Sequence, residues 1–396
     1  MRHLAVACVV VGSGATGACK DTGAINDAAV GDANGDAAIV DADPRLSLVP
    51  RGPFEIGPGG ARQDEDPTLA VSPEGTLIVL WYSDRGSAAA GRMDKQVYAT
   101  RSNDGIEWSS PVAVSAGADW GFAPSLSTTE QGVVASWWNW KHIPDGCSPG
   151  VDCTGASNRI LARRTTDVTT WTSSIETVTD GLGDWLPSVV EDLPMQRTLV
   201  YFAAVARRAD GTIDTSQTTS RLFVAIHENG GWQPPIPLVG VNADPTHQSY
   251  PFVVRRSDGT FAMTWTRFVA ADGDFSRVYS EPSTETMLAT SADGISWTDI
   301  RTVSEGAGGF VDVFPSLHVD HAGMLHVLWV TTDGAPTGQV IELPFAGAYP
   351  ADRTVRSALA GYSPRIVATA TPDVFLAAWV QGAEPMQRVQ SMLFIK

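Results

Sequence analysis

From about residue 45 onward the chain alternates between short apolar runs and clusters of turn residues. Residues 251–254 form one apolar run, residues 257–259 a Ser-Asp-Gly turn, and residues 261–265 a second apolar run that ends in Trp265. Two apolar runs joined by so tight a turn predict a β-hairpin. We find little helical periodicity in this part of the chain, so the pattern favours an all-β fold.

The hairpin pattern occurs six times. A proline opens each copy: Pro67, Pro124, Pro187, Pro251, Pro315 and Pro364. An aromatic residue about fourteen positions later ends the second apolar run: Trp81, Trp137 or Trp138, Tyr201, Trp265, Trp329 and Trp379. The prolines are 57, 63, 64, 64 and 49 residues apart. This period fits propeller blades that carry loops, and it exceeds most solenoid repeats.

Each copy continues with a second pair of strands, at residues 96–101 and 111–114 in the first copy. The last copy ends after its third strand, at residues 388–395, whereas residues 46–56 form a strand-like segment that belongs to no copy. If that segment supplies the missing fourth strand, the ring has no free edge. We therefore expect residues 45–396 to form a six-bladed β-propeller of four-stranded antiparallel blades, closed by an N-terminal strand.

The composition adds a strongly acidic balance. Lysine and arginine number 27 against 44 aspartates and glutamates, which gives a formal charge of −17. Such a surface repels phosphate backbones, so we expect no nucleic acid partner. The sequence shows neither a Cys-rich metal site nor a Ser-His-Asp motif, and we expect a monomer without metal or cofactor.

Residues 1–19 are typical of an export signal. Two basic residues precede an apolar run at residues 4–11, which is too short to span a bilayer. The small residues that follow lead to Cys19, and the segment resembles a bacterial lipoprotein signal in which Cys19 becomes the acylated first residue. Thr16 stands where such signals have an apolar residue, so cleavage without lipidation is the alternative. We expect a protein that is lipid-anchored to the bacterial cell envelope, on its periplasmic or surface-facing side, or secreted.

Residues 20–44 are rich in Asp, Ala and Gly and are predicted to form a flexible linker. Asp32, Asn34, Asp36 and Asp43 have the spacing of a calcium-binding loop. The turn glycine of such a loop is missing, and an Asp-rich spacer produces these spacings by chance, so we favour the linker.

Two turns between third and fourth strands share the pattern Ser-x-Asp-Gly-x-x-Trp, at residues 102–108 and 291–297, and residues 165–171 form a weaker copy. These turns resemble the Asp-box of bacterial-neuraminidase repeats, one residue shorter than the usual form. The motif residues are Asp104 and Trp108, Asp167 and Trp171, and Asp293 and Trp297. An aspartate that caps turn N–H groups and a tryptophan that packs between blades are structural elements. The resemblance implies a sialidase-like propeller.

The long insertions all fall on one face of such a propeller. They lie at residues 83–95, 139–158, 204–219 and 267–285, in loops on the face where the first strand of each blade begins. The hairpin turns and Asp-boxes belong to the opposite face. Because loop elaboration on one face marks function, we expect the ligand on the loop-rich face.

Carboxylates and aromatic residues lie just before the repeated prolines and at the ends of second strands, around the expected channel mouth. The candidates for catalysis are Asp64, Glu65, Asp66, Asp184, Asp312, His247 and Tyr250. The candidates for ligand contact are Trp120, Trp140, Trp185, Arg85, Arg267 and Tyr362. Carboxylates beside aromatic rings suit a sugar, whose hydroxyls donate to carboxylates while its C–H face stacks on a ring. An aspartate three residues before proline recurs in three copies, so a turn-stabilising role is the alternative.

The sialidase resemblance does not extend to the active-site residues. Sialidases are characterised by a Phe/Tyr-Arg-Ile-Pro motif in the first blade, three arginines that grip a carboxylate, a Tyr/Glu nucleophile pair and an Asp acid. Glu65 stands where the first arginine should be, and residues 248–250 and 312–314 contain no arginine. An acidic mouth cannot replace a bidentate arginine clamp. We therefore expect no true sialidase, and a neutral or cationic ligand.

Cys147 and Cys153 lie in the long loop of the second copy. In an exported protein they are expected to form a disulfide that stiffens this loop over the site. A zinc site would need two more soft ligands, and only His142 is near.

Three functions are compatible with this pattern. We favour a surface-tethered propeller that binds a glycan or another surface ligand on its loop-rich face. The alternative is a divergent glycoside hydrolase or polysaccharide lyase that uses the acidic mouth. A scaffold for another protein is the third, because propellers serve all three roles.

Overall fold

A computed structural model describes residues 49–56, 63–85, 95–116, 120–142, 157–171, 173–180, 184–205, 220–268, 284–304, 311–332, 339–344, 354–355, 361–382 and 387–395. The predicted signal peptide, Cys19, the linker and the calcium-loop spacing lie outside the described residues. Within these ranges there is no helix of the length and apolarity that a membrane crossing requires.

Almost all regular structure in these ranges is β-strand. The first strand is β1 (Val49–Glu55), and the first repeat contains β2 (Asp64–Val71), β3 (Leu77–Ser83), β4 (Gln96–Ser102) and β5 (Val112–Ala113). The second repeat contains β6 (Gly121–Thr129), β7 (Gly132–His142), β8 (Ser157–Thr165) and β9 (Glu176–Thr179). The third contains β10 (Asp184–Asp192), β11 (Arg197–Val205), β12 (Ser220–Glu228), β13 (Gly231–Trp232) and β14 (Ile236–Pro237).

The remaining three repeats follow in the same order along the chain. The fourth contains β15 (His247–Arg255), β16 (Phe261–Phe268), β17 (Thr284–Ser291) and β18 (Trp297–Thr302). The fifth contains β19 (Val311–Val319), β20 (Leu325–Thr332), β21 (Gln339–Pro344) and β22 (Thr354–Val355). The last contains β23 (Tyr362–Ala368), β24 (Val374–Gln381) and β25 (Arg388–Ile395). Short 3-10 helices lie at Leu193–Met195 and Val241–Ala243.

The repeats are antiparallel meanders. In the fourth repeat β15 pairs with β16, β16 with β17, and β17 with β18. Its hairpin turn closes where the Arg256 N–H donates to the Thr260 carbonyl over 2.8 Å, and Gly259 accommodates a φ of +87° there. The hairpins predicted from the apolar pattern and the all-β propeller fold are therefore confirmed.

The number of separate sheets differs from the prediction. We expected six four-stranded sheets, but the described residues form five sheets. Three have four strands, the third repeat forms one of five strands, and the fourth and fifth repeats share one of eight strands. A single parallel residue pair, Thr284 with Val311, joins the two meanders. The Thr284 hydroxyl reinforces this junction, since it donates to the Asp312 carbonyl over 2.9 Å and accepts from the Asp312 N–H over 2.7 Å.

The N-terminal strand completes the last sheet, as predicted. β1 pairs antiparallel with β25, so the order of that sheet is β1-β25-β24-β23. Ile56 directly follows β1 and is fully buried. Its N–H donates to the Val389 carbonyl of β25 over 3.1 Å. The first and last described segments of the chain therefore share one sheet.

The core between the sheets is built on one aromatic residue from the second strand of each repeat. These residues are the fully buried Trp81, Trp137, Tyr201, Trp265, Trp329 and Trp379. Trp138, the other candidate in the second repeat, is 9 % exposed, which identifies Trp137 as the equivalent residue. Truncating a buried aromatic residue of this size costs about 3–5 kcal/mol.

The first strands of the repeats form the inner wall. β2 contacts β6, β6 contacts β10, and β10 contacts β15. The cycle continues through β19 and β23 and returns to β2. The six first strands therefore surround one axis, and we call the end at which they begin the mouth.

Candidate functional site

A β-bulge interrupts each inner strand at its proline. The residue before each proline has a positive φ: Asp66 (46°), Ala123 (42°), Leu186 (56°), Tyr250 (53°), Phe314 (53°) and Ser363 (47°). The pairing with the second strand shifts at the same point in all six repeats. Residues other than glycine rarely adopt this conformation, which costs about 1–3 kcal/mol and persists only where the surroundings impose it.

This bulge decides which side chains reach the axis. Asp66, Ala123, Leu186, Tyr250 and Phe314 line one axial cavity just inside the mouth, together with Arg365 from the last repeat. The cavity has a volume of about 40 Å³. This space admits a few water molecules or one small substituent. A ligand of the size of a sugar ring does not fit inside the cavity.

A buried polar cluster in the first repeat adjoins the ring of pre-proline residues. Glu65 accepts hydrogen bonds from the Tyr82 hydroxyl and from the Lys95 ammonium, the latter over 2.5 Å. The Lys95 Nζ also lies 4.9 Å from the centroid of the Tyr82 ring. Burial, and then the negative charges of Glu65 and Asp66, raise the pKa of the Tyr82 hydroxyl well above its usual range. Tyr82 is therefore a neutral donor at physiological pH.

Asp64 points into the wall of the first repeat. Its carboxylate accepts from the Trp81 indole N–H over 3.0 Å and from Arg85 Nη2 over 3.2 Å. The Arg85 guanidinium lies over the Trp81 ring at 5.2 Å. Burial raises the pKa of the Asp64 carboxyl, although the hydrogen bond from Ser83 and the charge of Arg85 act in the opposite direction. Asp64 and Arg85 thus form a buried ion pair between the start of β2 and the residues that follow β3.

The predicted carboxylates are not gathered at one point. Glu65 accepts a hydrogen bond from Tyr82, and Asp66 lines the axial cavity together with Tyr250. Asp184 is the first residue of β10 and Asp312 the second residue of β19, and they are 0 % and 3 % exposed. The axial cavity is lined by Asp66 but not by Asp184 or Asp312.

His247 and Tyr250 have different surroundings, although both belong to β15. His247 is buried, its Nδ1 accepts the Ser220 N–H over 2.8 Å, and its ring packs 4.6 Å from that of Phe268. Burial, and then the charge of Arg221, lower the pKa of His247 to about 3. Tyr250 lines the axial cavity and packs edge-on against Phe314 at 5.2 Å.

The aromatic and arginine candidates for ligand contact lie in the walls. Trp185 is 9 % exposed, and its indole N–H donates to Ser249 Oγ of the next repeat over 3.3 Å. Trp120 is half-buried and packs against the core, and its carbonyl accepts from the Asn139 amide over 2.8 Å. Arg267 forms ion pairs with Asp244, over 2.9 Å, and with Glu285.

Several predicted residues cannot be placed. The side chains of Trp140 and Tyr362, and both Cys147 and Cys153, lie outside the described residues, as do most positions of the four long loops. Within the described ranges there is no group of three or more His, Cys, Asp or Glu residues that could hold a metal ion.

The Asp-box carboxylates lie at the end of the ring opposite the mouth. Asp104 Oδ1 accepts the N–H groups of Ile106 and Glu107, each over 2.9 Å. Asp293 Oδ1 accepts those of Ile295 and Ser296 over 2.8 and 2.7 Å. These hydrogen bonds lower the pKa of both aspartates, against a raising effect of burial that is the largest single contribution at Asp293. The weaker copy is similar, since the Thr169 N–H donates to Asp167 Oδ1 over 2.8 Å. Trp171 and Trp297 are buried and Trp108 is half-buried against the core.

Sequence reasoning missed three residues at the mouth, namely Tyr82, Lys95 and Arg365. Tyr82 directly follows the repeated tryptophan, and Lys95 stands at the end of a long insertion. Arg365 had a usable signal, because it follows a repeated proline where most copies have serine or threonine. The Arg365 guanidinium packs over the Phe252 ring at 5.1 Å inside the channel.

These strands and this mouth define a β-propeller with a polar and aromatic channel entrance. No family model matches the sequence, and no curated protein matches it. Solved structures share the fold. One is a protein of unknown function from Dyadobacter fermentans, with a TM-score of 0.63 and 15 % identity, covering 88 % of this chain and 99 % of that chain.

Two further structures have established activities. The GH93 α-L-arabinofuranosidase of Fusarium graminearum superposes with a TM-score of 0.58 and 14 % identity, covering 87 % of this chain and 97 % of that chain. The leech intramolecular trans-sialidase superposes with a TM-score of 0.51 and 10 % identity, covering 85 % of this chain and 68 % of that chain. At these identities the likeness shows the fold alone, which this chain shares with a glycoside hydrolase and with sialidases.

Proposed function

We propose that this protein binds a neutral glycan at the mouth of its channel. The observation that carries the proposal is the composition of the pre-proline ring, where Asp66, Tyr250 and Phe314 line one cavity beside Arg365. A carboxylate and a guanidinium exchange hydrogen bonds with sugar hydroxyls, and aromatic rings pack against sugar C–H faces. The shared fold with a glycoside hydrolase and with sialidases supports a glycan rather than another small ligand.

The charges at the mouth favour a neutral sugar. Glu65 and Asp66 oppose a carboxylate, and Lys95 and Arg365 oppose an ammonium group. The sequence left a cationic ligand open, and the two cations beside the mouth argue against it. Export and a lipid anchor on Cys19 belong to the same proposal, because a glycan-binding propeller on a tether would meet its ligand outside the cell.

One observation favours turnover as the second candidate function. Tyr82 and Glu65 form a hydrogen-bonded tyrosine–carboxylate pair, the type of pair that sialidases use as nucleophile and base. In a glycosidase Glu65 would take the phenol proton as the Tyr82 oxygen attacks the anomeric carbon, while the glycosidic bond breaks and the leaving oxygen takes a proton from water. Glu65 is already hydrogen-bonded to the Lys95 ammonium, and Tyr82 is only 7 % exposed. Binding without turnover is therefore the function that the geometry supports best.

A glycan array and a hydrolysis screen with aryl glycosides and polysaccharides test the proposal on residues 45–396. We expect binding of neutral glycans. We also expect Tyr250→Ala to lower the affinity about tenfold, since the packing of a sugar on an aromatic side chain contributes binding free energy of that size. Met195→Ala is the control, because Met195 is 65 % exposed on the hairpin turn of the third repeat. If the screens show no binding and no turnover, the proposal is refuted. Hydrolysis that Glu65→Gln and Tyr82→Phe abolish would establish the second candidate instead.

A further inference from the structure

Arg365 and Phe252 depart from a Ser/Thr pattern that links neighbouring repeats. The residue after the repeated proline is Thr68, Ser125, Ser188, Phe252, Ser316 or Arg365. The Ser125 and Ser188 hydroxyls each accept a backbone N–H of the next repeat, from Val189 and Val253, over 2.9 Å. A serine at this position therefore contributes a hydrogen bond between repeats. Arginine places a guanidinium in the channel instead.

The hydrogen bonds of this guanidinium are incomplete within the described residues. Nη1 donates to the Pro364 carbonyl over 2.9 Å and reaches the Phe314 carbonyl at 3.5 Å. Nε has no hydrogen-bond partner in the part of the chain that the structure describes, although it is buried. Nε is out of reach of a group in the cavity, so a bound acceptor would meet the Nη groups of Arg365, which lines the cavity.

Asp66 provides an acceptor in the same cavity. Its Oδ1 accepts from Ser363 Oγ over 2.5 Å, which fixes the carboxylate between the first and last repeats. The negative charge of Asp66 acts on Arg365 and opposes the effect of burial, which lowers the Arg365 pKa to about 10. Arg365 therefore remains charged at neutral pH. One wall of the cavity thus carries a carboxylate and a guanidinium.

The rest of the cavity lining is largely apolar. Leu186, Phe252 and Phe314 line it together with the prolines of their repeats, and the Arg365 guanidinium lies over the Phe252 ring. A group that fits this lining has a hydroxyl for Asp66 and Arg365 and a carbon for the apolar residues. The volume of about 40 Å³ limits it to the size of a hydroxymethyl group.

We propose that the axial cavity is a specificity subsite for the hydroxymethyl group of a neutral sugar, whose hydroxyl donates to Asp66 and accepts from Arg365. This inference rests on the proposed function, because the sugar ring would lie above the cavity at the mouth. The subsite discriminates against a uronic acid, since its carboxylate would face Asp66, and against a pentose, which has no hydroxymethyl group to bond with Asp66 and Arg365.

Three matched methyl glycosides test the subsite. The first series consists of methyl β-glucoside, methyl β-xyloside, which lacks the hydroxymethyl group, and methyl β-glucuronide, which carries a carboxylate. A second series consists of the corresponding methyl galactoside, arabinopyranoside and galacturonide. Dissociation constants come from NMR titration of the whole chain. In the series that binds, we expect the hydroxymethyl sugar to bind about tenfold tighter than the other two. The ¹⁵Nε resonance of Arg365, assigned by its loss in Arg365→Ser, should shift on binding.

Variants separate the subsite from the rest of the mouth. Arg365→Ser introduces the residue of three other repeats and should remove the preference over the pentose. Arg255→Ser is the matched control, because Arg255 also packs on a phenylalanine, Phe261 at 5.9 Å, but at the end of its strand away from the mouth. Asp66→Asn should improve uronide binding relative to the hydroxymethyl sugar, and it gives an independent result if Arg365→Ser does not fold.

The outcomes distinguish this inference from the proposed function. Binding without a preference for the hydroxymethyl sugar, or a preference that survives in Arg365→Ser or Asp66→Asn, overturns the inference and leaves glycan binding in place. Failure of both series to bind at all overturns the subsite, while a positive glycan array in that case would keep the proposed function.

Discussion

At the scale of single residues, the bulge before each proline separates the residues that face the axis from those that support the wall. Asp64 and Asp66 are only two positions apart, yet Asp64 pairs with Trp81 and Arg85 while Asp66 lines the cavity. In a regular strand, residues two apart lie on the same face. The bulge breaks that alternation and so gives the two carboxylates different roles.

His247 gives a pH-dependent prediction at this scale. Its pKa is about 3 in the folded protein against an ordinary value of 6.5, so the unfolded chain binds the extra proton between these values. The contribution of His247 to stability is therefore complete above about pH 6.5 and is lost as the pH falls towards 3, by about 1.4 kcal/mol per pH unit.

The measurement is the free energy of unfolding between pH 4 and pH 7 for the native chain and for His247→Gln. The glutamine oxygen can still accept the Ser220 N–H but cannot titrate. We expect a flatter pH dependence in the variant. Parallel curves for the two proteins would show that His247 is not held neutral.

The sequence predicted which segment forms the mouth but not which side chains reach the axis. Every candidate before a proline belongs to the start of an inner strand, except Trp120, which directly precedes β6. However, a bulge shifts the facing of each side chain by one position, and the apolar pattern carries no signal for a positive φ at Leu186 or Phe314. Lys95 was missed because its pairing with Glu65 joins residues 30 positions apart.

At the scale of elements, the Asp-box turns are held by contacts with the preceding repeat. The Tyr201 hydroxyl donates to the Gly294 carbonyl over 2.9 Å, and Arg197 Nη2 donates to the Asp293 carbonyl over 2.7 Å. Tyr201 is itself the buried aromatic residue of the third repeat. The turn of one repeat and the core of its neighbour therefore stabilise each other.

Two glycines with the same backbone conformation test this contact. Gly294 has a φ of +76°, and a Cβ there would lie 2.6 Å from Tyr201 Oη, whereas Gly323 has a φ of +79° and no atom within 4 Å of an added Cβ. Both alanine variants carry the cost of a positive φ, but only Gly294→Ala adds a clash. We expect Gly294→Ala to be less stable than Gly323→Ala by about 1–3 kcal/mol.

Chemical denaturation measures this difference, and Tyr201→Phe provides the control. Removing the hydroxyl relieves the clash, so Gly294→Ala should cost less in the Tyr201→Phe background. Equal stability of the two alanine variants in the native background would mean that the close packing of Tyr201 on the turn does not affect the free energy of unfolding.

At the scale of the whole molecule, closure of the ring depends on β1. The sequence predicted this strand because the last repeat ended one strand short, and the structure confirms its pairing with β25. The sequence could not predict that two repeats share one sheet, since that junction is a single residue pair between Thr284 and Val311. Such a contact depends on the spacing of whole repeats and leaves no local signal.

Truncation tests the closure. Removal of residues 1–56 deletes β1 and the buried Ile56 and leaves the edge of β25 unpaired. We expect a lower melting temperature and association through this edge, measured by calorimetry and light scattering. Removal of residues 1–44 is the control and should change neither. A chain without residues 1–56 that stays monomeric and equally stable would show that β1 does not close the ring.

The central claim is that a glycan binds at the mouth rather than elsewhere on the propeller. Backbone hydrogen exchange, with and without the tightest-binding glycan of the array, measures this directly. We predict slower exchange at the starts of the inner strands, around Asp66, Tyr250, Phe314 and Arg365, and unchanged exchange at the hairpin turns around Gly75, Gly259 and Gly323. Protection confined to the hairpin turns, with no change around the pre-proline residues, would contradict the account.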